Sequence, residues 1–191
     1  MEQVFWKKSM SQQIRVSELD DNELACLAVN DSSSFAELYD RYFEKIFYYL
    51  LDITKSMAVA EDLTSETFMY AFKAIGTLRN KNSFRPWLYQ IAKNKSYDYF
   101  RQKKKDNEIP LEFVEELESK TTSEFHYAPE EIILVRNIID NLPEDEAELL
   151  RLRFVAELSF SDIAKVLKQS VNVTKKKFYK IIKKISTEVK R

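Results

Sequence analysis

SFRPWLYQIAKNKSYDYFRQKKK, residues 83–105, carries two patterns at once. Phe84, Trp87, Leu88, Ile91 and Ala92 recur at i, i+3, i+4, i+7 and i+8, the stripe of a helix that buries one side. Ser83 is placed to cap that helix, and Pro86 falls in its first turn, where a missing N–H is not needed. On the other side Lys93, Tyr97, Arg101 and Lys104 line up at near-helical spacing, flanked by Tyr89 and Phe100. Cations neutralise phosphates, and rings give unstacked bases a platform worth about 1–3 kcal/mol each. The stretch predicts a surface helix for single-stranded nucleic acid. The plainer alternative is a core helix with a solvated basic face.

Composition says which fold presents such a helix. The 191 residues include one glycine, Gly76, and four prolines. Sheets need tight turns, which usually need glycine, so the chain is expected to be all-helical. The same scarcity excludes glycine-rich phosphate loops of the Walker or Rossmann kind. Cys26 is the only cysteine, which leaves no internal disulfide or cysteine-based zinc cluster and suits a reducing cytoplasm. No run of about twenty apolar residues exists, and the opening MEQVFWKKSMSQQ lacks the apolar stretch of a signal peptide; no membrane insertion is expected.

Formal charge is near zero, but its distribution is uneven. Residues 1–105 carry 16 basic and 14 acidic groups, residues 106–131 carry 1 and 9, and residues 132–191 carry 13 and 8. Two basic-leaning segments joined by an acidic one are compatible with a polyanionic partner.

Residues 1–16 show no firm pattern and are expected to fray. SELDDNELACLAVND, from Ser17, reads as a helix capped by Ser17 or Asp20, with Leu24, Leu27 and Ala28 buried and the serines at 32–34 breaking it. Phe35, Leu38, Tyr39, Tyr42, Ile46, Tyr49 and Leu50 mark a second, aromatic-rich core helix. A third follows with Ala60, Leu63, Thr64, Thr67, Phe68, Ala71, Phe72 and Ile75 inward, and Gly76 as a left-handed stop. Its other side, Asp62, Ser65, Glu66, Met69, Tyr70 and Lys73, is either a docking surface or ordinary solvated side chains. A polar loop, Thr77 to Asn82, leads to the opening stretch.

Residues 106–131 read as an acidic linker, either a solvated spacer or a phosphate mimic that covers the chain's own basic surfaces. Beyond it come IILVRNIIDNL, then a helix with Pro143 just inside its start and Glu144, Asp145 and Glu146 near its N-terminus. Ser159 and Asp162 form a capping-box-like start for SFSDIAKVL. Ser170 caps a last helix that carries Lys175, Lys176, Lys177, Lys180, Lys183 and Lys184. A basic amphipathic helix alone suits a membrane surface or a protein partner equally well. The capped helix just before it follows the helix-turn-helix plan and favours DNA.

FAELYDRYFEKIFYYL, AEDLTSETFMYAFKAI, SFRPWLYQIAKNKSYDYFRQ and LPEDEAELLRLRFVAELSFSDIAKVL, in this order, resemble the extracytoplasmic-function (ECF) class of bacterial sigma factors. The likeness covers about residues 17–105 and 132–188. It implies a promoter-melting domain (17–105) and a helix-turn-helix domain (132–191), with core RNA polymerase (β′ clamp and β flap), promoter DNA and an anti-sigma factor as partners. It also implies a role for each candidate residue. Asp62, Ser65 and Glu66 would dock on the polymerase, with Ser65 where the family commonly has Gln. Asn80, Lys81, Asn82 and Ser83 would capture a flipped −10 base by its polar edges. Lys93, Tyr97, Arg101 and Lys104 would hold the displaced strand. Ser170, Asn172, Lys175, Lys176, Tyr179 and Lys180 would read the −35 element in the major groove. No cofactor is expected, since capture of the melted strand drives opening.

The turn departs from the family. Where the pattern usually reads L-G-I-S-V-G-T-V-K, this chain has Leu167, Lys168, Gln169, Ser170, Val171, Asn172, Val173, Thr174 and Lys175, so both glycines are gone. Lys168 is expected to pay a steric penalty if its φ is positive. A stand-alone helix-turn-helix regulator would leave Asp62 and Glu66 without a role, and an interaction protein that lost promoter reading would fit the altered turn. Nothing points to catalysis: His126, the only histidine, lies in the acidic linker far from Cys26. The two domains packed face to face would mean a self-inhibited free form.

Overall fold

A computed structural model describes residues 17–78, 83–106 and 141–189. The expectations for residues 1–16, for Asn80, Lys81 and Asn82, for the linker beyond Asp106 and for the helix begun by IILVRNIIDNL lie outside these residues. The described residues are helical, without strands.

Asp20 caps α1 (Asp21–Leu27), accepting from the N–H groups of Asn22 and Glu23, while the Glu23 carboxylate accepts from the Asp20 N–H. This closed capping box settles the choice between Ser17 and Asp20. Leu24 and Ala25 are buried, whereas Leu27 turns to solvent, against expectation. The serines at 32–34 do not break that helix. They open α2 (Ser32–Thr54), where the Asp31 carboxylate accepts from the N–H and Oγ of both Ser33 and Ser34. The chain reverses between α1 and α2 because an Asp can cap there. Phe35, Leu38, Tyr42, Ile46, Tyr49 and Leu50 of α2 are buried.

Lys55, at φ 53°, ends α2 in the left-handed region, and α3 (Met57–Ala74) follows. Its predicted stripe is inside except Phe72, which is half exposed and meets Phe35 edge-on at a centroid distance of 5.0 Å. Gly76 is not a left-handed stop: it lies in a 3-10 turn, Ile75–Thr77, and its φ is not positive. A Cβ there would meet only Val29 Cγ1, at 3.9 Å, so neither space nor backbone demands glycine.

The opening stretch forms α4 (Phe84–Asp106), packed against α1, α2 and α3. Phe84, Leu88, Ile91 and Ala92 are buried, and Trp87 packs partly buried beside Phe84. Pro143 is the N-cap of α5 (Glu144–Leu150) rather than a residue inside it; its ψ of 141° is extended. The helix then widens into a π segment, Arg151–Val155, that keeps Arg151 and Leu152 inside while Phe154 and Val155 face solvent. Ser159 caps α6 (Phe160–Val166) by accepting from the Asp162 N–H at 3.1 Å. Ser170 Oγ accepts from the Val173 N–H at 3.3 Å at the start of α7 (Val171–Val189).

The two halves share one continuous core. The π segment packs on α2, and α6 packs on α4. The spatial relation of the halves, which composition and periodicity leave open, is therefore a closed one.

Candidate nucleic-acid interface

The outer face of α4 is a ridge of rings and cations. Tyr97 is 48 % exposed, Phe100 and Lys104 are exposed, and the Arg101 side chain is 70 % exposed. Arg101 Nη2 pairs with Asp98 Oδ1 at 2.8 Å, a surface contact within one helical turn that leaves most of the guanidinium in water. Ser83 sits partly buried immediately before the helix. Closure of the halves does not hide Tyr97, Arg101 or Lys104.

Lys93 and Tyr89 behave differently. Lys93 is 17 % exposed, with Nζ 5.4 Å from the Tyr97 ring centroid and 3.9 Å from Glu148 Oε1. Tyr89, expected on the flank of the open face, is fully buried, edge-on to Tyr49 at 5.3 Å. Both lie toward the junction between the halves, which pattern reading along one helix cannot foresee.

That junction is polar. Tyr49 Oη donates to Glu148 Oε1 at 2.7 Å. Arg151 donates from Nε to Asp52 at 2.8 Å and from Nη1 to Glu144 at 2.7 Å, and stands 3.7 Å from Glu148 Oε2. Arg85 Nη2 donates to the carbonyl oxygens of Ala156 and Glu157, each at 2.9 Å. Burial pushes the Glu148 carboxyl up from its ordinary value, opposed by the Tyr49 hydrogen bond and by Lys93 and Arg151. Burial likewise raises the Tyr49 hydroxyl, and the adjacent Glu148 charge adds to the effect. Burial and the carboxylates of Glu148, Glu144 and Asp145 raise the Tyr97 hydroxyl. The acidic start of α5 therefore faces the basic flank of α4.

On α3, Asp62, Ser65 and Glu66 are exposed on one face beside Met69 and Tyr70. Glu66 Oε2 pairs with Lys95 Nζ of α4 at 2.8 Å, so that acid is held in place by the neighbouring helix. On α7, Ser170, Asn172, Lys175, Lys176, Tyr179 and Lys180 are all exposed. Phe160 anchors this face, with Phe178 edge-on at 5.2 Å and the charges of Arg153 and Lys175 at 5.2 Å and 5.9 Å from its ring. Lys168 takes φ 52°, so the steric penalty that depended on a positive φ applies. Gln169 is partly buried and donates from Nε2 to Thr174 Oγ1 at 3.0 Å, which gives the altered turn a polar tie.

The Sigma-70 region 2 family model matches residues 38–106, and the Sigma-70, region 4 model matches residues 132–185, together more than half of the chain. The ECF RNA polymerase sigma factor SigM of Bacillus subtilis is 29% identical over 131 residues, which are 69% of this chain and 80% of that one. The chain belongs to the ECF class of the sigma-70 family. As a sigma factor it is a promoter-directing specificity subunit of RNA polymerase. The fold agrees. CnrH, solved in complex with the cytosolic domain of CnrY, superposes with a TM-score of 0.66 at 20% identity over 89% of this sigma factor and 97% of that chain. RpoE from Bartonella quintana, solved with the anti-sigma factor NepR, gives 0.63 at 16% identity over 82% and 96%.

Of the residues that join the halves of this sigma factor, sequence reasoning named Tyr49 only as a core ring and passed over Asp52, Arg85, Glu148 and Arg151. One signal was present. Glu148 stands in the run AELL, whose Ala147, Leu149 and Leu150 are all buried. A carboxylate on the inward side of a helix calls for a partner.

Proposed function

We propose that this sigma factor captures the displaced −10 strand on α4 and reads the upstream element with the exposed start of α7. The observation that carries this is the α4 ridge, where Tyr97, Phe100, Arg101 and Lys104 stay open to solvent even in the closed form. Rings for stacking interleaved with cations for phosphates are what a single strand needs. Asn80, Lys81, Asn82 and Ser83, just ahead of α4 in sequence, take the flipped base. Asp62, Ser65 and Glu66 moor α3 on the polymerase β′ clamp, and the C-terminal half meets the β flap. Ser170, Asn172, Lys175, Lys176, Tyr179 and Lys180 lie at the groove-entering end of α7.

On this reading the protein works in the cytoplasm without catalysis of its own, and an anti-sigma factor restrains it. Among the described residues no helix is long and apolar enough to cross a membrane. The test is run-off transcription by core polymerase from host promoters, with and without the chain. Specific transcripts that need the chain, and that fall when Asp62 and Glu66 become alanine, support the reading. No association with core polymerase in a pull-down favours a stand-alone regulator instead.

A further inference from the structure

Glu148 occupies a pocket that the N-terminal half lines with donors for an anion. Tyr49 Oη and Lys93 Nζ converge on Oε1 at 2.7 Å and 3.9 Å, and the Tyr97 ring lies beside the ammonium. Arg85, two turns earlier on α4, donates to two carbonyl oxygens. The hydrogen bonds and the ion pair that Arg85, Tyr49 and Lys93 make across this part of the junction all end on oxygen. Backbone phosphates of nucleic acid present the same chemistry to hydroxyl, ammonium and guanidinium groups. The surface is incompletely satisfied by the closed packing: the buried Tyr89 Oη and Arg85 Nε have no hydrogen-bond partner among the described residues. Unmade buried donors disfavour a state, so the junction suits reversible separation. The pocket also continues the exposed ridge, since Lys93 and Tyr97 are one turn apart on α4.

We propose that Tyr49 and Lys93 form a site for one backbone phosphate of the displaced strand, which Glu148 fills in the closed form and releases when the halves part. Separation also uncovers Arg85 and Tyr89, which extend the strand-binding surface toward the start of α4. This rests on the strand-capture reading of α4 and adds to it a site on α2. The closed form is then a competitor of the strand, acting through one carboxylate.

The test uses the full chain, a fluorescein-labelled single-stranded oligothymidine at low salt, and small-angle scattering. Asp52→Arg sets a like charge against Arg151 and leaves the pocket intact; Glu148→Ala removes the occupant. Both are expected to increase the radius of gyration. If the open form is about a tenth of the wild-type population, both tighten oligonucleotide binding about tenfold. Adding Tyr49→Phe or Lys93→Ala to Asp52→Arg should remove most of that gain while the chain stays open and its helical circular dichroism is unchanged. Three results overturn the proposal: opening without tighter binding, a gain that survives loss of Tyr49 and Lys93, or a wild-type radius in both opening variants. Arg101→Ala/Lys104→Ala in the Asp52→Arg chain separates the two ideas. If it leaves binding unchanged, the ridge reading falls while the phosphate site stands.

Discussion

Tyr49 Oη donates a 2.7 Å hydrogen bond to Glu148 Oε1, joining residues 99 positions apart and both almost wholly buried. The bond crosses from one half of the sigma factor to the other and leaves a carboxylate with no route to water. Tyr49→Phe removes the donor and keeps the ring. An unsatisfied buried acceptor costs about 1–3 kcal/mol, so the closed form should lose that much. Thermal melting will show a lower midpoint for Tyr49→Phe, and scattering will show a larger mean radius. Unchanged values in both would mean the bond contributes nothing net.

The pH response of the junction follows from the same carboxylate. Burial raises the Glu148 carboxyl above the value of about 4.3 it has in the unfolded chain. A group raised on folding contributes stability that is fully present below the unfolded value and lost as pH rises through the folded one. Tyr49, Lys93 and Arg151 face Glu148 directly, and Asp52 and Glu144 reach it through Arg151. Glu148→Gln keeps the shape and the acceptor but removes the titration. Subtracting its melting curves from those of the wild type, from pH 4 to pH 7, should leave a wild-type component that declines with rising pH. A flat difference contradicts the assignment.

Arg101 and Lys104 are exposed and belong to no junction contact, so their removal tests the ridge without opening the molecule. Each phosphate contact on a single strand contributes a slope of about −0.7 to log K against log salt. Arg101→Ala/Lys104→Ala should therefore make the slope shallower by about 1.4. Filter binding of the promoter complex across a salt series measures it, and an unaltered slope removes both residues from the strand.

Lys168 holds φ 52° in the turn before α7, in the region that favours glycine. A side chain there is disfavoured by roughly 1–2 kcal/mol, and glycine gives back about 0.5–1 kcal/mol in unfolded-state entropy. Lys168→Gly should stabilise the chain by about 0.5 kcal/mol, a rise of roughly 1–2 °C in melting temperature. Calorimetry that finds a loss would show that the side chain makes a compensating contact.

Asp31 accepts from four donors, the N–H and Oγ of Ser33 and of Ser34, at the start of α2, and the bonds from Ser34 first, then Ser33, hold its carboxyl below the ordinary range. Asp31→Ala should cost about 1 kcal/mol and Asp31→Asn much less. Its ionised form contributes stability above the unfolded value of about 3.9, and that is lost as pH falls through the lower folded value. Asp31→Asn keeps a cap but removes the titration, so stability followed by circular dichroism should fall further on acidification in the wild type than in Asp31→Asn; an equal fall contradicts the assignment.

Local signals were legible where one residue type has one good solution. Apolar spacing placed α2, α3 and α4, and the run of capping residues at Asp20, Ser159 and Ser170 marked helix starts. The family's missing glycine raised a penalty at Lys168 on the condition of a positive φ, and its φ of 52° meets that condition. Failures came where two solutions compete. Serines serve as breakers or as first-turn residues, and Asp31 decided for the second. Gly76 fits a left-handed stop or a 3-10 turn, and the chain takes the turn. Leu27 and Phe72 have the right spacing for burial, but among the described residues none packs fully over them.

Sequence alone determined that this chain is helical, that its charges lie in blocks, and that one helix alternates rings and cations along its outer face. Those properties depend on neighbours within a few turns, where spacing is geometry. Only the tertiary structure decided that Tyr89 and Lys93 turn into a junction, and that Glu148 meets Tyr49 there. Such contacts join residues 99 apart, and no periodicity along either helix encodes which face of the other it will find.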